Sequence, residues 1–161
     1  PFTRAELTRT LALAAGAGGM VGGQMMDIAA EEGGFDLAAV RRLQQLKTGA
    51  LLGAAVEMGA VLGRVPPEGR AHLRGYARDI GLAFQIVDDL LDHEGDEEAA
   101  GKALRKDAVA NKQTFVSLLG AASAREQARM LVDQAIAHLR HHGAGADLLR
   151  ALARYIVERD R

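Results

Sequence analysis

The chain has 161 residues and a formal net charge of −1; 48% of its residues are apolar, 25% are charged and none is Cys. This length suits one domain spanning residues 1–161, and such a balanced charge argues against a nucleic-acid-binding surface. Without Cys there can be no disulfide, thiolate metal site or thiol nucleophile, and no apolar run reaches the roughly 18 residues that a membrane span needs.

The sequence predicts an all-α fold. Ala and Leu are both strong helix formers and are the commonest residues, and no alternating apolar–polar stretch of strand length occurs. The predicted helices span residues 3 to 27 or 28, 37–62, 66–92, 113–121, 124–141 and 146–159. Residues 93–98 and 102–112 are predicted to be loop.

Local signals mark the ends of the first three helices. Thr3 and Glu6 have the spacing of a capping box, in which each side chain bonds the backbone at the other residue. Asp36 is a typical N-cap for the second helix, and Gly63 marks its end. Pro67 suits the first turn of the third helix, where its missing N–H costs nothing.

Small residues crowd the end of the first predicted helix. At helical spacing, they predict a bend or a close approach between helices. A phosphate-binding loop is the alternative, but such a loop normally follows a strand, and none is predicted here. The glycines concerned are Gly16, Gly18, Gly19, Gly22 and Gly23.

The third helix carries an apolar stripe beside an acidic sector. At about 100° per residue, Gln85, Asp88, Asp89 and Asp92 share one side of the helix. Anions are unfavourable at a helix C-terminus, so this arrangement suggests a bound cation. A solvated acidic helix end is the alternative. The apolar stripe consists of Leu73, Tyr76, Ile80, Phe84, Val87 and Leu91.

Several lysines favour the cation-binding interpretation. Lys102, Lys106 and Lys112 follow the acidic sector closely, and Lys47 with Thr48 interrupts the apolar pattern of the second helix. Mg²⁺ in proteins is commonly held by one or two carboxylates together with substrate phosphates, and lysines act as point charges on phosphate oxygens. The combination predicts a site for a metal-bound polyphosphate, although Lys106 is more readily explained as a solvated loop residue.

Four motifs resemble those of the trans-isoprenyl diphosphate synthases and occur in that family's order. The segment 81–92 resembles the second aspartate-rich motif, and 18–24 with Asp27 resembles the GGQxxD helix. Residues 47–51 resemble the Lys-Thr motif, and the stretch from 101 through Lys112 to 120 resembles the flexible lysine loop. Residues 151–159 are similar to the C-terminus of bacterial farnesyl diphosphate synthases.

The resemblance implies an all-helical prenyltransferase that joins an allylic diphosphate, dimethylallyl or geranyl, to isopentenyl diphosphate. The expected product is farnesyl diphosphate, and the expected cofactor is Mg²⁺, which stabilises the departing pyrophosphate. By resemblance, the metal ligands are Asp88, Asp89 and Asp92; the diphosphate is held by Lys47, Lys102 and Lys112; Thr48 and Gln85 shape the pocket; and Asp88, Lys47 and Lys102 are the catalytic residues.

The resemblance covers only the C-terminal half of such an enzyme. Asp88-Asp89 is the single Asp-Asp pair in the sequence, so the family's first aspartate-rich motif is absent and the 161-residue piece alone is expected to be inactive. A cytoplasmic homodimer is implied. A geranylgeranyl or longer-chain synthase and a non-catalytic helical partner of the same fold are the alternatives, although the intact motifs argue against loss of activity.

Three histidines lie outside all of these motifs. His138, His141 and His142 have the i, i+3, i+4 spacing of possible metal ligands. Because they fall near a predicted helix C-terminus, where cations are favoured, a solvated cluster is the preferred interpretation.

Overall fold

The computed structural model describes residues 2–94 and 113–159, and all regular secondary structure in these two ranges is helical. The all-α prediction is confirmed. In chain order the α-helices are α1 (Phe2–Ala15), α2 (Met20–Ala29), α3 (Leu37–Gln44), α4 (Ala50–Leu62), α5 (Pro67–Glu94), α6 (Phe115–Leu119), α7 (Ala121–His138) and α8 (Asp147–Glu158). A π-helical turn, Gln45–Gly49, joins α3 to α4, and three short 3₁₀ turns occupy Ala30–Glu32, Leu139–His141 and Gly143–Ala146.

The prediction of one continuous first helix is wrong, because residues 16–19 separate α1 from α2. Gly19 has a φ of −133° and a ψ of −129°, and a Cβ placed there would lie 2.0 Å from the carbonyl oxygen of Ala14. Only glycine fits this bend. Thr3 lies inside α1 rather than at its N-cap, so the capping-box prediction is also wrong.

The second predicted helix has the expected ends but an interrupted middle. The Asp36 carboxylate accepts a hydrogen bond of 2.8 Å from the backbone N–H of Ala39, which confirms the N-cap, and Gly63 is the C-cap of α4. Between them the backbone widens into the π-helical turn. Such turns are rare and occur frequently at functional sites.

Helix α5 packs against α4 on one side and against α7 and α8 on the other. Of the predicted apolar stripe, Phe84 and Leu91 are only half-buried. The predicted stripe is also too narrow, because packing on both sides buries a second set of residues. That set comprises Ala77, Asp79, Gly81, Leu82, Ala83, Ile86, Asp89 and Leu90.

The C-terminal helices close the core over α5. Phe115 of α6 and Leu139 at the end of α7 are fully buried with Tyr76 and Ile86 of α5. The predicted helix at 113–121 is shorter in the structure, because Gly120, at a φ of 79°, separates α6 from α7. Among the described residues, no helix has both the length and the apolarity to cross a membrane.

Candidate active site

The π-helical turn is held against α2 by backbone contact. A Cβ on Gly23 would lie 2.2 Å from the backbone nitrogen of Lys47 and 2.5 Å from its Cα, so glycine is required for this approach. One helical turn after Gly23, the Asp27 carboxylate accepts a 2.6 Å hydrogen bond from the Lys47 ammonium. Two segments far apart in sequence thus fix the position of Lys47.

The turn also lies beside α5. A Cβ on Gly81 would be 3.5 Å from the Cα of Gly49, and Glu57 of α4 forms ion pairs with Arg70 and Arg74 of α5. These contacts fix α4 and α5 as antiparallel neighbours. Continuing α5 by one turn beyond Gly81 therefore brings the backbone of Gln85 alongside the start of the π-helical turn.

Asp88 is the more accessible of the two adjacent aspartates. Its side chain is 43% exposed, forms an ion pair with the Arg159 guanidinium, and accepts a long hydrogen bond of 3.5 Å from the Gln85 amide. The same guanidinium lies 4.3 Å from the ring centroid of Phe84 and donates to its backbone carbonyl at 3.4 Å. Arg159, just beyond the end of α8, therefore covers this part of α5.

Asp89 points in a different direction. It is buried, and its carboxylate accepts a 2.8 Å hydrogen bond from the backbone N–H of Phe115, the first residue of α6. Asp92, one turn beyond Asp88, is half-buried at the end of α5. In residues 2–94 and 113–159 no three His, Asp or Glu side chains already form a group that could hold a metal ion.

The structure brings some of the predicted site residues together and leaves others out. Lys47 and Thr48 occupy the π-helical turn, and Gln85 and Asp88 lie on the neighbouring part of α5. Lys102 and Lys112 lie outside the described residues. Arg159 received no role from the sequence, since the only available signal was a cation at the end of an amphipathic helix, 71 residues from its carboxylate partner.

A cavity of about 570 Å³ lies between α1, α4 and α5, next to the π-helical turn. Its wall is mainly apolar and small, with Gln45 at the turn and Glu57, Arg74 and Arg78 as the charged members. The cavity does not include Asp88. It is therefore a neighbour of the acidic sector and not part of it.

Residues 4–153 match the family model described as polyprenyl synthetase. The chain belongs to the polyprenyl synthetase family.

Relatives within the polyprenyl synthetase family agree with this assignment. The chain is 40% identical to a farnesyl diphosphate synthase of Escherichia coli K12, over 98% of this chain and 54% of that protein. It superimposes on the apo structure of an FPP/GFPP synthase from Zymomonas mobilis with a TM-score of 0.86 and 54% identity, over 97% of this chain and 51% of that one. A geranyltransferase from Helicobacter pylori, solved with magnesium and isoprenyl diphosphate, gives a TM-score of 0.79 at 29% identity, over 98% of this chain and 52% of that one.

The chain spans about half the length of the curated relatives that it matches. The C-terminal-half resemblance inferred from the motifs is consistent with this coverage.

Proposed function

We propose that the protein carrying this chain is a prenyltransferase that condenses dimethylallyl or geranyl diphosphate with isopentenyl diphosphate to give farnesyl diphosphate. Pyrophosphate leaves from the allylic substrate. A geranylgeranyl or longer-chain product is the alternative. One solved relative is named as an FPP/GFPP synthase, which supports keeping this alternative. A non-catalytic partner of the same fold is less well supported, because the ionic groups of the site are intact.

The observation that carries this proposal is the position of Lys47. Its turn is held by backbone contact with Gly23, its ammonium pairs with Asp27, and its neighbour Gly49 lies against Gly81 on α5. A lysine is thereby brought to the same end of the helix pair as Gln85 and the half-exposed Asp88. Cationic and carboxylate groups in this combination suit a diphosphate and the metal that accompanies it.

The oxygen donors of α5 fit Mg²⁺. Asp88 is accessible and Asp92 lies one turn beyond it, which is the sparse carboxylate set that this ion prefers, whereas the buried Asp89 carboxylate bonds Phe115. When bound, Mg²⁺ would neutralise charge that develops on the leaving pyrophosphate. Asp89 would then affect the site indirectly, because its hydrogen bond to Phe115 holds α6 in place.

The chain's own residues bind and orient the allylic diphosphate. Lys47 donates from its ammonium to phosphate oxygens, and Lys102 and Lys112 are proposed to do the same. Thr48 and Gln85 line the space beside the carbon that becomes cationic. The ion pair with Asp27 directs the Lys47 ammonium, and no covalent protein nucleophile is needed.

Arg159 is proposed to regulate access to Asp88. Its guanidinium neutralises the Asp88 carboxylate and is itself held over the Phe84 ring. Because Arg159 and a metal ion would use the same carboxylate, binding of the ion requires this ion pair to open.

The test is a condensation assay with the intact protein, with geranyl diphosphate and labelled isopentenyl diphosphate as substrates and excess Mg²⁺ present. We expect a 15-carbon diphosphate as the main product. Asp133 is exposed on α7, away from the candidate site, so Asp133→Ala is the matched control for Asp88→Ala and should retain full turnover. Longer products would select the alternative synthase, and no condensation by a folded protein would contradict the proposal.

A homodimer and a cytoplasmic location complete the proposal. Five large apolar side chains, each about half exposed or more, lie on α1 and α2, and exposed apolar residues of this kind suit contact with a second copy. Gly23 makes the predicted close approach inside the chain, to Lys47, so it is not available for contact with a second copy. The apolar residues are Leu11, Leu13, Val21, Met25 and Ile28.

A further inference from the structure

A second cavity, of about 420 Å³, lies between α5 and the end of α7. Asp79, in its wall, precedes Asp88 by nine residues, which is about 13 Å along a helix, so this cavity is separate from the proposed diphosphate site. Its volume falls within the range of small-molecule sites, about 300 to 1,000 Å³. The polar part of its wall is rich in hydrogen-bond donors. These belong to His72, Arg78, Gln134, His138 and Arg140.

Asp79 is the only acidic member among the described residues of this wall, and its carboxylate already has partners. The side chain is buried, and Oδ1 accepts a 2.8 Å hydrogen bond from Nε of Arg78. Nε2 of His138 lies 3.2 Å from the other oxygen, Oδ2. A buried carboxylate needs such partners, and in return it holds the guanidinium and the imidazole beside the cavity.

The two guanidinium groups of the wall keep donors available for a ligand. Asp79 uses Nε of Arg78, and Nε2 of His141 accepts a 2.8 Å hydrogen bond from Nε of Arg140. In residues 2–94 and 113–159, the terminal nitrogens of these two arginines make no hydrogen bond or ion pair. Two guanidinium charges against one carboxylate leave an excess of one positive charge, even when both imidazoles of the wall are neutral.

One side of the cavity is fixed by close packing at a glycine of α5. A Cβ on Gly75 would lie 2.5 to 2.8 Å from three atoms of the His138 ring, so this ring rests on the helix backbone and reaches Asp79 from there. The ring of His72 lies 6.4 Å from that of His138, measured between centroids. The donors are therefore arranged around a defined space.

We propose that this cavity binds a phosphoryl group, which accepts hydrogen bonds from the guanidinium groups of Arg78 and Arg140 and from the imidazole of His72. A tetrahedral phosphate presents oxygens in several directions and can bond α5 and α7 at once, whereas a planar carboxylate is matched by a single guanidinium. Asp79 and His138 position these donors. The site is independent of the proposed condensation, and its ligand is either inorganic phosphate or an organic phosphate.

The competing explanation is a solvated basic cluster that attracts any anion. In such a cluster, affinity follows the net charge and is screened by salt. Every cation lost from this side of α7 then has the same effect, and a substitution that leaves the charge unchanged has none. In a defined site, affinity depends on which cation is lost and on where the His138 ring lies.

The experiment is calorimetric titration of the intact protein with inorganic phosphate at fixed ionic strength. A chelator is present, so that no divalent ion carries phosphate to the acidic sector. We expect one saturable site per chain, with a dissociation constant of about 1 mM or tighter. Arg140→Gln should weaken binding roughly tenfold. Arg129→Gln removes the same charge from an exposed position on α7 and should bind phosphate as the native protein does.

A second pair of variants leaves the charge unchanged. Gly75→Ala should weaken phosphate binding roughly tenfold, because the displaced His138 ring leaves the Asp79 carboxylate to repel the anion. Gly59→Ala is the control, since no atom outside its own helix backbone lies within 4 Å of the added Cβ. Arg78 is not substituted, because it also borders the larger cavity beside the π-helical turn.

Two further titrations identify the ligand and its place. Glycerol 3-phosphate is the organic phosphate, and the tighter of the two phosphates identifies the source. Lys47→Ala removes a cation of the proposed diphosphate site and should bind phosphate normally, so the condensation can fail while this site stands. Equal affinity for acetate, equal losses in Arg129→Gln and Arg140→Gln, unchanged affinity in Gly75→Ala, or loss of binding in Lys47→Ala would each overturn the proposal.

Measurements on the folded protein guard against variants that fail to fold. Phosphate should shift the imidazole NMR signals of His72 and His138 and leave that of His93, exposed at the end of α5, unchanged. Phosphate should also raise the unfolding temperature of the native protein and of Arg129→Gln but not that of Arg140→Gln, since only an anion bound to the folded state stabilises it. A shift of His93 alone would contradict the site.

Discussion

Asp88 and Asp89 are chemically identical neighbours with different surroundings. Asp88 is half-exposed and paired with Arg159, whereas Asp89 is buried and bonded to the backbone of α6. Adjacent residues on a helix point about 100° apart, so one can face a site while the other faces the core. We therefore propose one binding residue, Asp88, and one positioning residue, Asp89, in this pair.

We expect Asp88→Ala to lower kcat by several orders of magnitude while changing the KM for isopentenyl diphosphate little. The removed carboxylate is proposed to act on the leaving pyrophosphate, which develops its charge in the transition state. Steady-state kinetics at saturating Mg²⁺ is the measurement. Turnover close to that of the native protein would contradict this role and would favour the alternative, in which the acidic sector is a solvated helix end.

Asp89→Ala supplies the contrast. It leaves the buried N–H of Phe115 without this acceptor, which costs about 1 to 3 kcal/mol of folding stability. Denaturant unfolding should show this loss, and Asp89→Asn should recover part of it because an amide oxygen still accepts.

At the residue scale, the sequence predicts which side chains are polar and which helix side they share. It does not predict their partners. Arg159 lies 71 residues from Asp88, and Phe115 lies 26 residues from Asp89. Only the packing of α6 and α8 onto α5 creates these contacts, and no local pattern encodes that packing.

At the scale of elements, the contact between α2 and the π-helical turn fixes the site. We expect Gly23→Ala to cost about 1 to 3 kcal/mol of stability, because the new Cβ meets backbone atoms that cannot rotate away. Displacement of Lys47 should also raise the KM for the allylic substrate. Chemical denaturation and steady-state kinetics measure the two effects.

Gly59→Ala is the matched control for this substitution. Gly59 lies inside α4, and apart from its own helix backbone no atom lies within 4 Å of the place that a Cβ would occupy. Alanine should therefore be neutral or slightly stabilising at this position. Equal effects of the two substitutions would show that backbone contact at Gly23 is not what matters.

The link between α5 and α8 predicts a sensitivity to alkaline pH. Tyr76 is fully buried and donates a 2.8 Å hydrogen bond to the carbonyl of Leu149, and burial raises the pKa of its phenol to about 12. The unfolded chain loses this proton near pH 10. Stability should therefore decline as pH rises from about 10 to 12, by roughly 2 to 3 kcal/mol in total.

Unfolding experiments at pH 9 to 12 test this expectation. Tyr76→Phe removes the titrating group, so its stability should fall less over that range than that of the native protein, although it starts lower by about 1 kcal/mol. Parallel pH curves for the two proteins would contradict a role for Tyr76.

The sequence predicts elements with strong end signals well, but it does not predict their interruptions. Asp36 marks the start of α3 and Gly63 the end of α4. Between them Lys47 and Thr48 interrupt the apolar pattern, but a polar interruption alone does not predict that the helix widens into a π-helical turn. The glycine cluster after α1 indicates the break only as one of two possibilities, a bend or a close contact. Gly19 makes the bend and Gly23 makes the contact.

At the scale of the whole molecule, the 161-residue chain expressed alone should show no condensation of geranyl and isopentenyl diphosphate. It covers about half the length of its curated relatives and contains one Asp-Asp pair. It therefore supplies only one of the two aspartate-rich motifs that we expect to bind the metal–diphosphate complex. Radiolabelled product formation is the measurement. Turnover by the isolated chain would show that one aspartate-rich motif is sufficient.

The exposed apolar residues of α1 and α2 give a prediction about assembly. Met25 is 60% exposed, and Met25→Glu would place a charge in the proposed contact between two copies. We expect light scattering to show a dimer for the intact protein and a monomer, or a markedly weaker dimer, for the variant. An equivalent change on α7, Met130→Glu, should leave the dimer intact.

The backbone contact at Gly23 also limits how the candidate site can be redesigned. Most pockets are enlarged or reshaped by exchanging the side chains that line them. Here the lysine is located by one main chain resting on another, so exchanges around it leave its position unchanged until α2 moves as a unit. An engineer who wants a different distance between Lys47 and α5 must therefore alter the length or angle of α2.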